Sequence, residues 1–138
     1  MKTFILALLM PVTLFAQNTV CFEIEANPNS SDAALSAFTK YVNVLGCFEI
    51  YAESSISDAK VLHAAAVAAE LLDNDEDGIV DDPLIKTQLA NSQAIMPLFA
   101  SEGSAGENSF FNNYNGDGVS AVLYSGEIDP TQPGHWGD

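Results

Sequence analysis

The residues best able to do chemistry are carboxylates crowded into one short stretch, 73–82, whose sequence is DNDEDGIVDD. Calcium takes roughly six to eight oxygen ligands, and a chain that curls around the ion presents side chains from alternate positions. Acidic residues alternate in this way at the start of the stretch, and another lies at its ninth position. The spacing therefore predicts a calcium loop. Its predicted ligands are the carboxylates of Asp73, Asp75, Asp77 and Asp81 and the backbone carbonyl of Ile79.

The loop over residues 73–84 resembles an EF-hand loop and is also similar to the calcium loops of thrombospondin type 3 and dockerin repeats. Gly78 stands where such a loop turns sharply, and Val80 is expected to pack inward. The pattern departs at the twelfth position, where Leu84 replaces the bidentate glutamate of an EF-hand. We therefore expect weak affinity, roughly 0.1 to 1 mM. The oxygen ligands that replace the missing glutamate are expected to come from water or from the carboxylates of Asp82, Glu70, Glu102 or Glu107.

The alternative for this stretch is an acidic turn that is merely solvated, as runs of charge usually are. Electrostatics favour a bound cation. A helix carries partial negative charge at its C-terminus and disfavours carboxylates there, yet the helix predicted before the loop contains Glu70 and runs directly into the acidic stretch. Without a cation this arrangement repels itself, so we expect calcium in a structural role.

Helices are predicted on both sides of the loop. Residues 59–72 are rich in alanine, the strongest helix former, and follow the capping residue Ser57. Downstream, Asp82 followed by Pro83 is typical of a helix start and predicts a short helix over 84–90. The remaining predicted elements are strands over 93–99 and 119–124 and, between them, a long loop over 101–118 that is rich in Gly, Ser and Asn.

The N-terminal half contains two near copies of one hexapeptide, which begin at Cys21 and Cys47 and alternate apolar with polar residues. That alternation is the period of a half-buried strand. Between them, residues 32–45 have apolar side chains at helical spacing and are followed by Gly46, which predicts a helix. If the two strands are neighbours, their cysteines lie at matching positions, and a disulfide is favoured over two buried free thiols in an exported chain.

Two further groups of polar residues are weaker candidates. Residues 113–118 repeat the skeleton of the calcium loop with amides in place of acids, which predicts either a second calcium site or an ordinary hairpin turn. His63 lies two helical turns before Glu70 on one predicted face, so it is a candidate ligand for a second metal, with a packed or capped histidine as the alternative. His135 belongs to no recognisable motif, and neither a zincin motif nor a phosphate-binding glycine loop is present.

Residues 1–16 have the character of a signal peptide, with Lys2 before an apolar run and the small residue Ala16 at the expected cleavage point. The run is too interrupted for a membrane span, and Cys21 lacks the preceding small residues of a lipid anchor. We therefore expect a secreted, periplasmic or extracellular protein without a membrane anchor. Its extracellular ligand is unknown.

The composition is strongly acidic, with four lysines, no arginine, nineteen acidic residues and a formal net charge of −15. Such a surface disfavours nucleic acid and anionic membranes as partners and favours calcium ions. Residues 17–138 amount to one domain. The element pattern predicts an α+β fold with a small mixed sheet, two or three helices and a helix-loop-helix calcium loop.

The segment around His63, the helix leading into 73–78, and residues 134–138 together resemble a group of poorly characterised secreted proteins of bacteria and fungi, from about Tyr41 onward. In that group the chain continues into a helix that looks like a metal-dependent hydrolase site. The resemblance implies that this chain is the N-terminal part of a longer protein and that zinc belongs only to the longer form.

The function expected from the sequence is a secreted domain with structural calcium and a binding or scaffolding role. The alternative is the N-terminal part of a secreted metal-dependent hydrolase whose catalytic helix lies beyond residue 138. An adhesion module is a third hypothesis. Because these residues contain no complete catalytic site, the sequence leaves open whether the protein is an enzyme.

Overall fold

The computed structural model describes residues 21–132 and 135–136. The predicted signal peptide, 1–16, lies outside the described residues. Within the described part of the chain, every helix is too short or too polar to cross a membrane. The elements in chain order are β1 (Glu25–Ala26), β2 (Phe38–Val44), β3 (Phe48–Glu53), α1 (Asp58–Leu72), α2 (Pro83–Ser92), β4 (Ile95–Phe99), α3 (Ala105–Asn113), β5 (Leu123–Tyr124) and a 3₁₀ turn, Ser125–Glu127.

The strands form one mixed sheet in the order β1-β2-β3-β4-β5. β1, β2 and β3 pair antiparallel, whereas β3, β4 and β5 run parallel. Parallel neighbours require a long crossover, and α1, the acidic loop and α2 together form the crossover between β3 and β4. The predicted α+β class with a small mixed sheet is confirmed.

Both faces of the sheet are covered, so the core has two halves. On one face, α1 contributes Val61 and Ala65 to a cluster that includes Val44 of β2. On the other face, Phe110 of α3 packs against Phe38 of β2, with ring centroids 5.8 Å apart. β2 is therefore an interior strand whose apolar side chains are buried on both faces of the sheet.

The prediction of a helix over 32–45 is wrong. Most of the C-terminal part of this segment is β2, and the segment begins with turns. The register between β2 and β3 shifts between Phe38 and Lys40, as at a β-bulge. A bulge inserts one extra residue, so Phe38 and Tyr41, three residues apart, both lie in the core half that faces α3. The bulge thus produces apolar spacing that imitates a helix.

The helices predicted around the acidic loop are confirmed, with slightly different ends. At the start of α1 the Ser57 side chain accepts a hydrogen bond from the backbone N–H of Lys60, and at the start of α2 the Asp82 side chain accepts from that of Leu84. The predicted strand over 93–99 corresponds to β4. The strand over 119–124 is shorter than predicted, because only β5 and one bridge at Val119 pair with β4.

The long loop predicted over 101–118 is wrong in part, because it contains α3. The Ser104 side chain accepts from the backbone N–H of Glu107, and the Glu107 carboxylate accepts from the backbone N–H of Gly103. A serine followed three residues later by a glutamate is a sequence pattern for a helix start. The pattern was therefore present within a segment rich in residues that usually break helices.

The predicted disulfide is absent, since Cys21 and Cys47 are both free in the structure. The two hexapeptides are not neighbouring strands, because β2 lies between β1 and β3 in the sheet. Cys21 is exposed and precedes β1, whereas Cys47 is buried at the turn before β3. Burial also raises the pKa of the Cys47 thiol.

We predict that a maleimide or a disulfide reagent labels one thiol of the native protein rapidly and the second only after unfolding. The thiolate is the reactive form, so a buried thiol of raised pKa reacts slowly. Intact mass after timed labelling, with and without denaturant, measures this difference. In Cys21→Ser the rapid phase should disappear, and an unlabelled native protein that reacts only after reduction would show that a bridge exists.

Candidate metal centre

The acidic loop begins where α1 ends and returns to the same point. The backbone N–H of Asp73 donates to the carbonyl of Ala69 at 2.8 Å, which continues the helical pattern by one residue. Eight residues later, the N–H of Asp81 donates to the carbonyl of Leu72 at 2.9 Å. Val80 is 4% exposed and belongs to the core cluster under α1. The loop is therefore closed by one backbone hydrogen bond and anchored by one buried side chain, as predicted for Val80.

Inside the loop, backbone N–H groups converge on carboxylates. Asp73 is 3% exposed, and its two oxygens accept from the N–H groups of Asp77 at 3.1 Å and Gly78 at 2.7 Å. Asp81 accepts from the N–H of Asn74 at 3.0 Å. Gly78 has a positive φ of 86°, which glycine adopts readily, and this conformation makes the sharp turn predicted at this position. These bonds fix the directions of two carboxylates.

Three carboxylates meet at the mouth of the loop. One oxygen from each of Asp73, Asp75 and Asp81 lies within 4.8 Å of the other two, with Asp73 buried and the others exposed. Among the described residues, the ion pair present is Lys40 with Asp58, far from this group in sequence, and no lysine pairs with the three carboxylates. A carboxylate oxygen that accepts one hydrogen bond still has a free lone pair. The group can therefore hold a metal ion.

Repulsion within the loop acts most clearly on the carboxyl group of Asp75. The pKa of Asp75 is raised, first by the negative charge of Asp77, then by partial desolvation and by the charge of Asp81. A raised pKa in the folded protein means that folding favours the protonated form. The repulsion is therefore fully present at neutral pH and is relieved as the pH falls toward and through this raised pKa. A bound cation would relieve it without protonation.

The remaining predicted ligands occupy other positions. Asp77 is not a member of the three-carboxylate group, and its oxygen accepts from the N–H of Ile79 at 2.8 Å, which forms a local turn. The carbonyl of Ile79 stays a predicted ligand. Leu84, at the twelfth position, is 73% exposed.

The proposed substitutes for the missing glutamate are not gathered at the loop. Asp82 caps α2, and Glu107 lies in α3 and accepts from the hydroxyl of Tyr124 at 2.6 Å. Among the described residues, neither these nor Glu70 and Glu102 belong to the three-carboxylate group. Further oxygen ligands are therefore expected from water and from the predicted carbonyl of Ile79.

His63 does not join this centre. Its Nε2 lies 2.8 Å from the carbonyl oxygen of His135, and a carbonyl can only accept, so this nitrogen carries the proton. The bond links α1 to the C-terminal segment 72 residues away in sequence. A metal-ligating histidine commonly donates its other ring N–H to a backbone carbonyl, so this bond is compatible with a structural role and with ligation through Nδ1, and the metal-ligand role of His63 stays a prediction.

The second candidate calcium stretch, 113–118, is neither a closed loop nor a hairpin turn. It begins with the last residue of α3 and leads to Val119, which bridges to Ile95 in parallel orientation. A Cβ added to Gly118 would lie 2.3 Å from the backbone carbonyl oxygen of Gln93. Glycine at this position therefore permits the stretch to lie directly against the C-terminal end of α2.

No family model, no curated protein and no solved structure matches this chain.

We predict that Asp75→Asn raises the melting temperature of the metal-free protein at neutral pH, because the substitution removes one of several mutually repelling charges. Thermal unfolding in excess chelator, compared at pH 7 and at about pH 4.5, within the range where perturbed carboxylates titrate, measures this effect. The advantage of the variant should shrink at the lower pH. A variant that is less stable than the parent in chelator would contradict the repulsion described here.

Proposed function

We propose that this protein is a secreted calcium-binding domain, in which a calcium ion stabilises the junction between α1 and α2 and the domain has a binding or scaffolding role. The observation that supports it is the convergence of three carboxylates, Asp73, Asp75 and Asp81, with no lysine paired to them among the described residues. Two unit charges roughly 4 Å apart repel by about 1 kcal/mol in bulk water and about 4 kcal/mol near a protein surface, so a cation bound here would be stabilising.

The donor set favours calcium among the common metals. All three converging atoms are carboxylate oxygens, and the group contains no histidine or cysteine. Structural zinc sites use cysteine and histidine, and magnesium demands a strict octahedron and keeps several waters. Calcium tolerates irregular geometry and mixed carboxylate, carbonyl and water ligands. Such ligands are what a loop with three side-chain carboxylates and open sides offers.

A structural role follows from where the carboxylates lie in the chain. Asp73 caps the end of α1, and Asp81 immediately precedes Asp82, the N-cap of α2. α2 has no fully buried residues and packs on the core through the partly buried Leu89, so limited packing holds it in place. An ion shared by Asp73 and Asp81 would hold the two helix ends together.

Export is consistent with this role, because extracellular calcium modules work at weak affinity, roughly 0.1 to 1 mM. The acidic composition and the signal-like residues 1–16 support the same location. The rival hypothesis, the N-terminal part of a metal-dependent hydrolase, places its catalytic helix beyond residue 138, and among the described residues His63 belongs to no group of three or more candidate metal ligands.

We predict that calcium raises the melting temperature of the protein and that magnesium raises it less. An ion that binds only the folded form at about ten times its Kd stabilises by about 1.4 kcal/mol, which corresponds to a rise of roughly 3–6 °C for a domain of this size. Calorimetry or fluorescence-monitored melting across a calcium series measures the shift.

The test variant for this experiment is Asp75→Asn, and its matched control is Glu76→Gln, which removes one negative charge from the adjacent position. Asp75 belongs to the three-carboxylate group and Glu76 does not. Asp75→Asn should abolish most of the calcium shift, and Glu76→Gln should retain it. Equal loss in both variants would mean that calcium only screens the acidic surface.

We also predict that the 138-residue chain binds no stoichiometric zinc and has no peptidase or esterase activity. Catalytic zinc usually needs about three protein ligands and an open position, and among the described residues His63 belongs to no group of three or more candidate ligands. Elemental analysis of the purified chain, together with turnover assays, checks this prediction. Stoichiometric zinc with turnover that His63→Ala removes would instead favour the hydrolase hypothesis.

A further inference from the structure

A polar cleft lies on the opposite side of the sheet from α1, next to the cluster that contains Phe110. Its volume is about 440 Å³, within the size range of small-molecule sites, roughly 300–1,000 Å³. The lining comes from five parts of the chain: the turns before β2, the start of β3, the C-terminal end of α2, the start of β4, and the end of α3 with the segment after it. A second cleft of about 250 Å³ shares Asn29, Glu49 and Gln93 with the first.

One carboxylate in this cleft is held by a network of neutral donors. Glu49 is partly buried, and its two oxygens accept from the hydroxyls of Tyr41 at 3.0 Å and Tyr51 at 2.9 Å. Each hydroxyl in turn accepts from an amide, Asn43 at 3.3 Å for Tyr41 and Asn29 at 2.8 Å for Tyr51. Four side chains thus orient their dipoles toward one carboxylate and fix its position.

The tyrosine hydroxyls remain donors over a wide pH range. Burial is the first cause that raises the pKa of both Tyr41 and Tyr51, and the neighbouring Glu49 raises it further. Both side chains are buried. The network therefore fixes Glu49 with hydrogen bonds and supplies no positive charge to balance it.

The rest of the lining adds negative charge and amides. Asp32 and Asp117 are exposed at the cleft, and among the described residues that line it none is lysine, arginine or histidine. A neutral ligand such as a sugar would normally stack on a free aromatic face. Here Tyr51 is fully buried, and Tyr114 stacks on Phe110 with centroids 4.8 Å apart.

We infer that this cleft binds a small organic cation with a primary ammonium group, whose charge is received by Glu49. An ammonium group donates three hydrogen bonds and has no acceptor, so it complements a carboxylate whose tyrosine partners also only donate to it. The rim carboxylates Asp32 and Asp117 attract the same charge. The site is separate from the acidic loop, and none of the three carboxylates of the loop lines it.

The test is isothermal titration of the folded protein with putrescine at low ionic strength, in the presence of saturating calcium. We expect one putrescine per chain. The isosteric variant Glu49→Gln should raise the Kd for putrescine by about tenfold to a hundredfold, which is the range for loss of a hydrogen bond to a charged group. Glu102→Gln, which removes the same charge from an exposed turn outside the cleft, should leave Kd unchanged. Butane-1,4-diol, of matching length and without charge, should not bind.

Each alternative occupant gives a distinct result. Equal binding of putrescine to the parent and Glu49→Gln, or binding of the diol or of a neutral disaccharide with similar affinity, would overturn the inference. A second calcium ion per chain that is lost in Glu49→Gln would assign the cleft to a metal instead. If Glu49→Gln does not fold, Asp117→Asn at the exposed rim replaces it, and a Kd unchanged by this variant counts against the inference.

Discussion

Mutual repulsion among carboxylates at the C-terminal end of α1 is the constraint on which the local structure depends. The helix end is already partly negative, and Asp73, Asp75 and Asp81 add charge within 4.8 Å. The chain offsets part of this repulsion with its own backbone, because N–H groups of Asp77 and Gly78 point at the buried Asp73. Backbone dipoles orient a carboxylate but leave its net charge in place. The α1–α2 junction should therefore respond to cations and to ionic strength more than the sheet does.

The sheet is insulated from this effect, because its stability comes from two apolar faces. One face packs on α1 and the other on α3, and the aromatic cluster of Phe38, Phe99 and Phe110 has centroids 5.5 to 5.8 Å apart. Contacts of this kind depend on burial and not on charge. A change at the acidic loop can therefore loosen one helix junction while the sheet stays folded, which is how local opening differs from global unfolding.

The parts of the fold that the sequence predicted are those whose signals are local. α1 and α2 were predicted from alanine content and from the capping residues Ser57 and Asp82, and the structure shows both caps. β2 was mistaken for a helix because the bulge after Phe38 is stabilised by pairing with β3, which no short stretch of sequence specifies. The disulfide prediction was wrong for the same reason, because it depended on an assumption about which strands are neighbours.

The two candidate sites also differ in whether their residues are close in sequence or are brought together by the fold. The carboxylates of the acidic loop lie within nine residues of one another along the chain, so their spacing alone indicated that they would converge. Asp77 shows the limit of this reasoning, because a local turn to Ile79 competes for its side chain. The cleft around Glu49 had no sequence signal at all. Asn29, Glu49 and Asp117 meet only because the sheet and the segment after α3 bring them together.

α2 connects the two sites physically. It starts at Asp82, next to the carboxylate of Asp81, and ends before Gln93, whose carbonyl packs on Gly118 beside the cleft. α2 has no fully buried residues and packs on the core through the partly buried Leu89, so its position also depends on its two ends. An ion bound at the first end would reduce the freedom of the second, where Ser92 and Gln93 form part of the cleft wall. Coupling of this kind would be reciprocal, so a ligand that contacts Gln93 would favour ion binding at the loop by the same free energy.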